Sequence, residues 1–189
     1  MDVVNNIVEY LTQLLQNGGI IYGVLLILLE SIIPALPLGV FVALNINAYG
    51  LVIGILISWL STCLGCYASF LLFTFISNKV IKNRLDKPKV KKVVNRMKNI
   101  EFSNLVVLIA LPFTPAFLIN IAAGVVRMGK RKFLIALLMG KIFMVTFWGC
   151  VGKSLLESIT DIKTIIIVAI LILLAYFLSK FVSKKMKIE

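Results

Sequence analysis

The chain has 189 residues, of which 60% are hydrophobic and 15% are charged, with a formal net charge of +12. A soluble domain is roughly 45–50% apolar and about 25% charged, so this composition argues against a soluble enzyme and predicts one integral membrane domain, residues 1–189. The basic excess would suggest nucleic acid binding in a soluble chain, but here membrane topology and anionic lipid explain it better.

The first half of the chain predicts an amphipathic helix, a broken apolar run and a long span. Residues 1–18 show helical periodicity and end at Gly18-Gly19. Residues 20–47 are apolar but interrupted by two prolines, whereas residues 48–77 exceed the roughly 20 residues needed to cross the hydrocarbon. The first residues lack the positive region of a secretory signal, so they are expected to be retained.

The second half begins with a strongly basic amphipathic segment at residues 79–101, followed by a second proline-broken run at 103–126. Two further apolar stretches, 133–154 and 162–182, complete the chain. Together with 48–77 they predict about three full transmembrane helices, so the expected fold class is an all-α integral membrane protein.

The distribution of positive charge predicts the topology. No Lys or Arg precedes Lys79, and all the basic residues except Lys141, Lys153 and Lys163 then fall in three clusters that are expected to be cytoplasmic, the C-terminus included. Because basic clusters flank residues 103–126 on both sides, we expect this run to enter and leave from the cytoplasm as a re-entrant hairpin. By the same reasoning residues 20–47 form a hairpin that enters from outside.

The two broken runs share a Pro-x-x-Pro unit, Pro34 with Pro37 and Pro112 with Pro115. Each unit is followed by Asn, then Gly, then a full span. Proline breaks a helix and frees backbone carbonyls, and one such unit entering from each face is the arrangement of inverted repeats in transporters. The alternative is two kinked spanning helices whose proline spacing coincides.

Three stretches and a following glycine pattern together resemble the DedA family, also called the VTT or SNARE-associated domain family, over roughly residues 25–155. They are Glu30-Ser31 with Pro34-Ala35-Leu36-Pro37-Leu38-Gly39; Gly54 to Tyr67; Leu111-Pro112-Phe113-Thr114-Pro115 through Asn120 and Gly124 to Arg127-Met128 and Phe133; and Gly140, Trp148, Gly149 and Gly152.

The resemblance implies two re-entrant hairpins that face each other, and movement of phospholipid or polyprenyl-phosphate headgroups across the bilayer. Glu30 matches the family's membrane-embedded acid. The bacterial pattern has two arginines flanking the proline of the second hairpin, and this chain has Ile109-Ala110-Leu111-Pro112 and Pro115-Ala116-Phe117 instead. It therefore lies nearer the divergent, eukaryote-like branch, and a proton-coupled mechanism that depends on those arginines is not implied.

Two ionisable residues within apolar runs are candidates for function. Glu30 is the only acid in such a run, and a carboxylate at that depth is costly unless it is neutral, hydrated or paired; its alternative role is to cap hairpin backbone amides. Lys141 is the only base well inside a span. It either meets a lipid phosphate or Glu30, or it snorkels to the cytoplasmic surface.

The remaining candidates cluster at the predicted hairpins, where polar groups and freed amides suit an anionic phosphate. Asparagines in membranes also bond neighbouring helices, and a basic cluster such as that at Arg127 is mostly topological. The predicted transport and lipid-binding residues are Glu30, Pro34, Pro37, Asn45, Pro112, Thr114, Pro115, Asn120, Gly124, Arg127 and Lys141.

Metal and hydrolase chemistry have little support in the sequence. Cys63 and Cys66 have C-x-x-C spacing, but the chain has no His and no second pair, so small-residue helix packing explains them better. Ser154 and Ser158 lack a His to act as base. We therefore predict no enzyme activity, no metal and no cofactor.

The leading function hypothesis is a lipid flippase or scramblase in the cell membrane, with anionic lipid headgroups as its partners. The alternatives are a secondary transporter of an ion or small solute, and a non-transporting membrane scaffold whose basic segment recruits a partner. A homo-oligomer is compatible with the sequence.

Overall fold

The computed structural model describes residues 2–32, 38–80, 95–114, 116–157 and 162–185. These residues are helical throughout apart from short connections and contain no strand, which confirms the predicted all-α class. The main helices are α1 (Asp2–Gly18), α2 (Ile20–Ile32), α3 (Leu38–Tyr49), α4 (Leu51–Val80), α5 (Phe102–Ala110), α6 (Ala116–Val125), α7 (Lys130–Glu157) and α8 (Ile162–Lys185).

Two helices among the described residues are long and apolar enough to cross a membrane. Their apolar parts are Leu51–Ser77 in α4 and Lys130–Ser154 in α7, close to the predicted spans 48–77 and 133–154. The count rises to three if α1 and α2 together form one bent span. The predicted span 162–182 lies in α8, whose described apolar part is the shorter stretch Ala169–Val182, so its crossing stays a prediction.

The N-terminal amphipathic helix ends where its glycines predict. α1 stops at Gly18, and Gly19 has a positive φ of 68° that glycine adopts without steric cost. α2 then leaves at an angle of 118° to α1. The Tyr49 hydroxyl fixes this turn, because it lies 2.8 Å from the carbonyl of Leu15 and 2.7 Å from that of Gly19.

The second proline-broken run is interrupted at the predicted place. α5 ends at Ala110, and Leu111 is extended with φ −70° and ψ 124°. This conformation follows from Pro112, since a residue that precedes proline is pushed out of the helical region. A backbone bond of 3.3 Å from Thr114 N to Leu111 O closes the turn before α6 begins.

Part of the first broken run lies outside the described residues. α2 and α3 are its two arms, and the residues between them, which include Pro34 and Pro37, are not described. Pro115 and residues 81–94 of the basic segment also lie outside the described part of the chain. Within 95–101 the chain forms a short helix at 95–98 with Met97 buried, and Lys132 Nζ donates to the Ile100 carbonyl over 2.7 Å.

The long helices α4 and α7 organise the packing. The second arm of each broken run packs against the long helix that follows the other run, α3 against α7 and α6 against α4. The first arms stay with their own long helices, α2 with α4 and α5 with α7, and α4 packs directly against α7. Phe70 and Phe133, both fully buried, stack with ring centroids 4.3 Å apart at this contact.

Close helix contacts depend on small residues, as the sequence predicted for α4. A Cβ added at Gly54 would lie 2.6 Å from backbone atoms of Ile46 in α3. One added at Gly124 in α6 would lie 2.8 Å from the Phe70 carbonyl oxygen in α4. Both distances are far inside ordinary contact, so glycine allows these backbones to approach.

Candidate functional site

Lys141 is the most unusual side chain in the described part of the chain. It lies in α7 with only 2% of its surface exposed, so it does not snorkel and faces the protein interior. Its Nζ lies 3.3 Å from the thioether sulfur of Met144, one turn further along α7. A thioether is a weak acceptor, so the ammonium is buried with no strong acceptor among the described residues.

A narrow crevice lies beside Lys141. It runs along the interrupted second run, and seven residues line it: Ile109, Thr114, Ala116, Ile119, Asn120, Leu137 and Lys141. The break at Pro112 produces this arrangement, because it ends α5 and lets α6 start in a new direction. Without the break, Thr114 would form part of a continuous helix instead of facing α7.

Thr114 and Asn120 bring the polar groups of the second run to this crevice. The Thr114 hydroxyl is buried and has no hydrogen-bond partner within the described residues. Asn120 is only 2% exposed and also lines the crevice. A hydroxyl, an amide and an ammonium can all donate hydrogen bonds, so together they suit an oxyanion, to which charge-assisted bonds are the strong ones.

Glu30 approaches the same region from the first run. It is half-buried in α2, on the helix that packs beside the Lys141 end of α7. Packing explains this proximity, since Ile27, one turn before Glu30, belongs to the same hydrophobic cluster as Met144 and Val145 of α7. The acid and the base predicted from opposite halves of the sequence therefore lie in the same region of the fold, without an ion pair between them.

Trp148 of α7 connects the two broken runs. A Cβ added at Gly39, at the start of α3, would lie 2.8 Å from the Trp148 ring. The indole also makes an edge-to-face contact with Phe113, in the break of the second run, with ring centroids 5.7 Å apart. Phe113 also meets Tyr176 of α8 at 5.9 Å. One tryptophan thus touches both interrupted segments.

Asn45 does not line the crevice. It is completely buried in α3, and its Nδ2 lies 3.0 Å from the Ser58 hydroxyl and 3.4 Å from the Gly23 carbonyl. These contacts join α2, α3 and α4, which matches the helix-bridging role that the sequence left open. Its Oδ1 has no hydrogen-bond partner in the described part of the chain.

Gly124 and Arg127 also lie away from the crevice. Gly124 is pressed against the α4 backbone near Phe70, which accounts for the absence of a side chain. Arg127 is exposed just beyond the end of α6, with a positive φ of 52°, and its Nε lies 3.3 Å from the Ser77 hydroxyl. Pro112 shapes the crevice through the chain break, whereas Pro34, Pro37 and Pro115 fall outside the described residues.

Cys63 and Cys66 are free and buried. The Cys63 sulfur lies 3.9 Å from the Leu137 carbonyl, across the α4–α7 contact. Among the described residues no group of three or more His, Cys, Asp or Glu side chains comes together. The two thiols therefore sit in the helix packing that the neighbouring small residues predicted.

Sequence reasoning missed two members of this region. Met144 was not singled out, although its position one turn after Lys141 places the two on one helix face. In the sequence, Trp148 stands out only as part of the glycine-rich pattern of the family resemblance. An aromatic residue next to a small-residue pattern in a span is a usable signal for such a junction.

Known proteins are similar to the part of the chain that contains this region. The VTT domain matches residues 33–154, a range that holds α3 to most of α7 and the whole crevice. The chain is also 34% identical over 173 residues to the uncharacterized membrane protein YhjE of Bacillus subtilis (strain 168), which covers 89% of this chain and 84% of that protein. No solved structure matches.

Proposed function

Because the chain belongs to the VTT-domain (DedA) family of membrane proteins, we propose that it moves phosphate-bearing lipid headgroups across the bilayer as a flippase or scramblase. The headgroup of a phospholipid or polyprenyl phosphate would pass along the crevice between the second broken run and α7 while its tails stay in lipid. No covalent bond is made or broken in this step, so the protein acts as a transporter and not as an enzyme.

The observation that carries the proposal is the buried Lys141 ammonium beside the broken second run. A charge in the membrane interior is expensive and usually marks a transport or relay function. Here Thr114 and Asn120 line the same crevice, and the Thr114 hydroxyl has no hydrogen-bond partner among the described residues, so a phosphate oxyanion would find several donors at one point. A purely structural lysine would be expected to have an oxygen acceptor.

The packing supports an arrangement in which two hairpins meet from opposite faces. The second arms reach the long helix of the other half, α6 against α4 and α3 against α7, while α3 also packs against α4, as expected for two related halves that pack into each other. Trp148 lies between the broken segments. With the basic clusters on the cytoplasmic side of the cell membrane, the two runs would enter from outside and inside and meet near the middle of the bilayer.

The basic flank of the second run would gather substrate. Arg127, Lys130 and Arg131 are exposed at the junction of α6 and α7. An anionic headgroup near the surface is attracted by such a cluster at about 1 kcal/mol per basic residue. In this proposal Arg127 raises the local concentration of anionic lipid and does not hold the headgroup during transfer.

Reconstitution into liposomes with fluorescent lipids tests the function. A membrane-impermeant reductant quenches only outer-leaflet headgroups, so transfer appears as quenching beyond the outer half. We expect faster movement than in empty vesicles for phospholipid or polyprenyl phosphate, and a reduced rate for Asn120→Leu. The control is Asn104→Leu, since Asn104 is an exposed asparagine at the start of α5. Movement no faster than in empty vesicles, for both lipid classes, would refute the proposal.

Cysteine accessibility tests the topology on which the proposal depends. Single cysteines at Asn104 and Lys130, in a variant without native cysteines, flank the second run. Both should react with an impermeant thiol reagent from the cytoplasmic side. Labelling of the two positions from opposite sides would show that the second run crosses the membrane, and the predicted hairpin would be wrong.

A further inference from the structure

Lys141 has two neighbours that compete for one positive charge. On one side lies the crevice with Thr114 and Asn120. On the other lies the first broken run, where Ile27, one turn before Glu30, packs in one cluster with Met144 and Val145, one turn beyond Lys141. Within the described residues Lys141 Nζ has a hydrogen-bond contact with the Met144 sulfur and forms no ion pair with Glu30. Glu30 is thus in the region of the ammonium without forming an ion pair with it.

The crevice in this conformation is too narrow for a water molecule. A headgroup must therefore separate the walls of the crevice before it reaches Lys141. Water cannot solvate the ammonium while it changes partners. A buried charge that loses its only compensating neighbour is strongly disfavoured. It follows that one anion must be near Lys141 at every stage, either Glu30 or the ligand.

We propose that Lys141 is an exchange point at which the Glu30 carboxylate and a phosphate oxyanion of the ligand displace each other. The inference rests on the proposed function and names its ligand class more closely: lipids whose phosphate carries uncompensated negative charge. A choline or ethanolamine group attached to the phosphate would bring a second cation towards Lys141, so zwitterionic headgroups are disfavoured at this site.

The competition predicts an unusual sign for one substitution. Glu30→Gln keeps the shape of the side chain but removes the anion that competes for Lys141, so the phosphate ligand should bind more tightly. Coupling between two sites is typically 5–150-fold, and we expect a gain within this range. If Glu30 only caps backbone amides, the substitution would leave phosphate binding unchanged or weaken it.

Binding of a fluorescent short-chain phosphatidic acid to the purified full-length protein in detergent measures this effect. The variants are Glu30→Gln, Lys141→Met and the double variant, and the controls are Glu101→Gln and Lys180→Met, which remove the same charges at exposed positions. We expect tighter binding for Glu30→Gln, none for Lys141→Met or the double variant, and no change for the controls.

Two competitors identify the source of the phosphate. Unlabelled short-chain phosphatidic acid should displace the probe, whereas phosphatidylcholine and inorganic phosphate at the same concentration should not. Displacement by inorganic phosphate would assign the site to free phosphate and overturn the lipid part of the inference. Unchanged or weaker binding in Glu30→Gln would overturn the exchange itself, and it remains informative even if Lys141→Met does not fold.

Failure here is distinguishable from failure of the proposed function. Lipid movement in liposomes with no gain of binding in Glu30→Gln would leave the transporter standing and remove the exchange. The expected binding pattern without lipid movement would support the exchange at Lys141 and refute the transport function.

Discussion

Replacing Thr114 with Val should make the protein more stable and less active. Most substitutions of buried residues destabilise, but the Thr114 hydroxyl is buried with no partner among the residues that the structure describes, and an unsatisfied buried polar group costs about 1–3 kcal/mol. Val has nearly the same shape and no hydroxyl, so the free energy of unfolding should rise by up to about that amount. For a chain of this size each kcal/mol shifts the melting temperature by about 2–4 °C.

Activity should change in the opposite direction. If the hydroxyl donates to a phosphate oxyanion during transport, its loss removes a hydrogen bond to a charged group, worth about 1.5–3 kcal/mol. Since about 1.4 kcal/mol corresponds to a factor of ten, the apparent affinity for the transported lipid should fall about 10–100-fold. The liposome assay at several lipid concentrations measures this effect.

The buried cysteines provide the stability assay. Cys63 and Cys66 are buried and free, whereas Cys150 is exposed, so in a Cys150→Ser background a dye that fluoresces on reaction with thiols reports unfolding on heating. Thr62→Val is the matched control, because the Thr62 hydroxyl on α4 is also buried without a partner but does not line the crevice. It should raise the melting temperature and leave transport unchanged.

Either of two results would refute this reasoning. A lower melting temperature for Thr114→Val would mean that the hydroxyl has a partner in the folded protein. Greater stability with unchanged transport would mean that the hydroxyl never contacts the substrate.

Three further substitutions test the packing with the same thiol assay. Gly54→Ala should cost about 1–3 kcal/mol of stability, because its Cβ would lie 2.6 Å from the α3 backbone. Gly129→Ala is the control, because the nearest atom to its Cβ lies at 3.9 Å, and it should change stability by no more than about 0.5 kcal/mol. Equal melting temperatures for the two variants would contradict the close α3–α4 approach. Trp59→Phe removes the 3.1 Å bond from Nε1 to the Leu138 carbonyl and should cost about 1 kcal/mol, and a gain in stability would argue against that bond. Phe133→Ala empties a fully buried position and should cost about 3–5 kcal/mol; a loss below 1 kcal/mol would place Phe133 outside the core.

The helices and their ends were predictable because local chemistry determines them. Pro112 forces Leu111 out of the helical region wherever the chain folds, and Gly18-Gly19 ends α1 for an equally local reason. The spans follow from hydrophobic length alone. The predicted bounds differ from the observed ones by a few residues, since α4 runs to Val80 and α7 starts at Lys130, and polar residues at a span's ends carry no hydropathy signal.

The partners of individual side chains were not predictable in the same way. Whether Lys141 snorkels or turns inwards depends on which face of α7 is covered by α5, α3 and α4, and the sequence does not specify that. Asn45 illustrates the same difficulty, because its bond to Ser58 needs the register of α3 against α4. The packing that places Glu30 and Lys141 in one region joins residues more than a hundred positions apart, and no local pattern encodes it.

The position of Trp148 allows its intrinsic fluorescence to report on the broken runs. Its indole packs against Gly39 and makes an edge-to-face contact with Phe113, so separation of either broken run would change the surroundings of the ring. The other tryptophan, Trp59, is fixed by its bond to a carbonyl in α7, and a Trp59→Phe background would isolate the Trp148 signal. A shift of its emission when phosphatidic acid is added would then follow the opening of the pathway in real time, with no attached label.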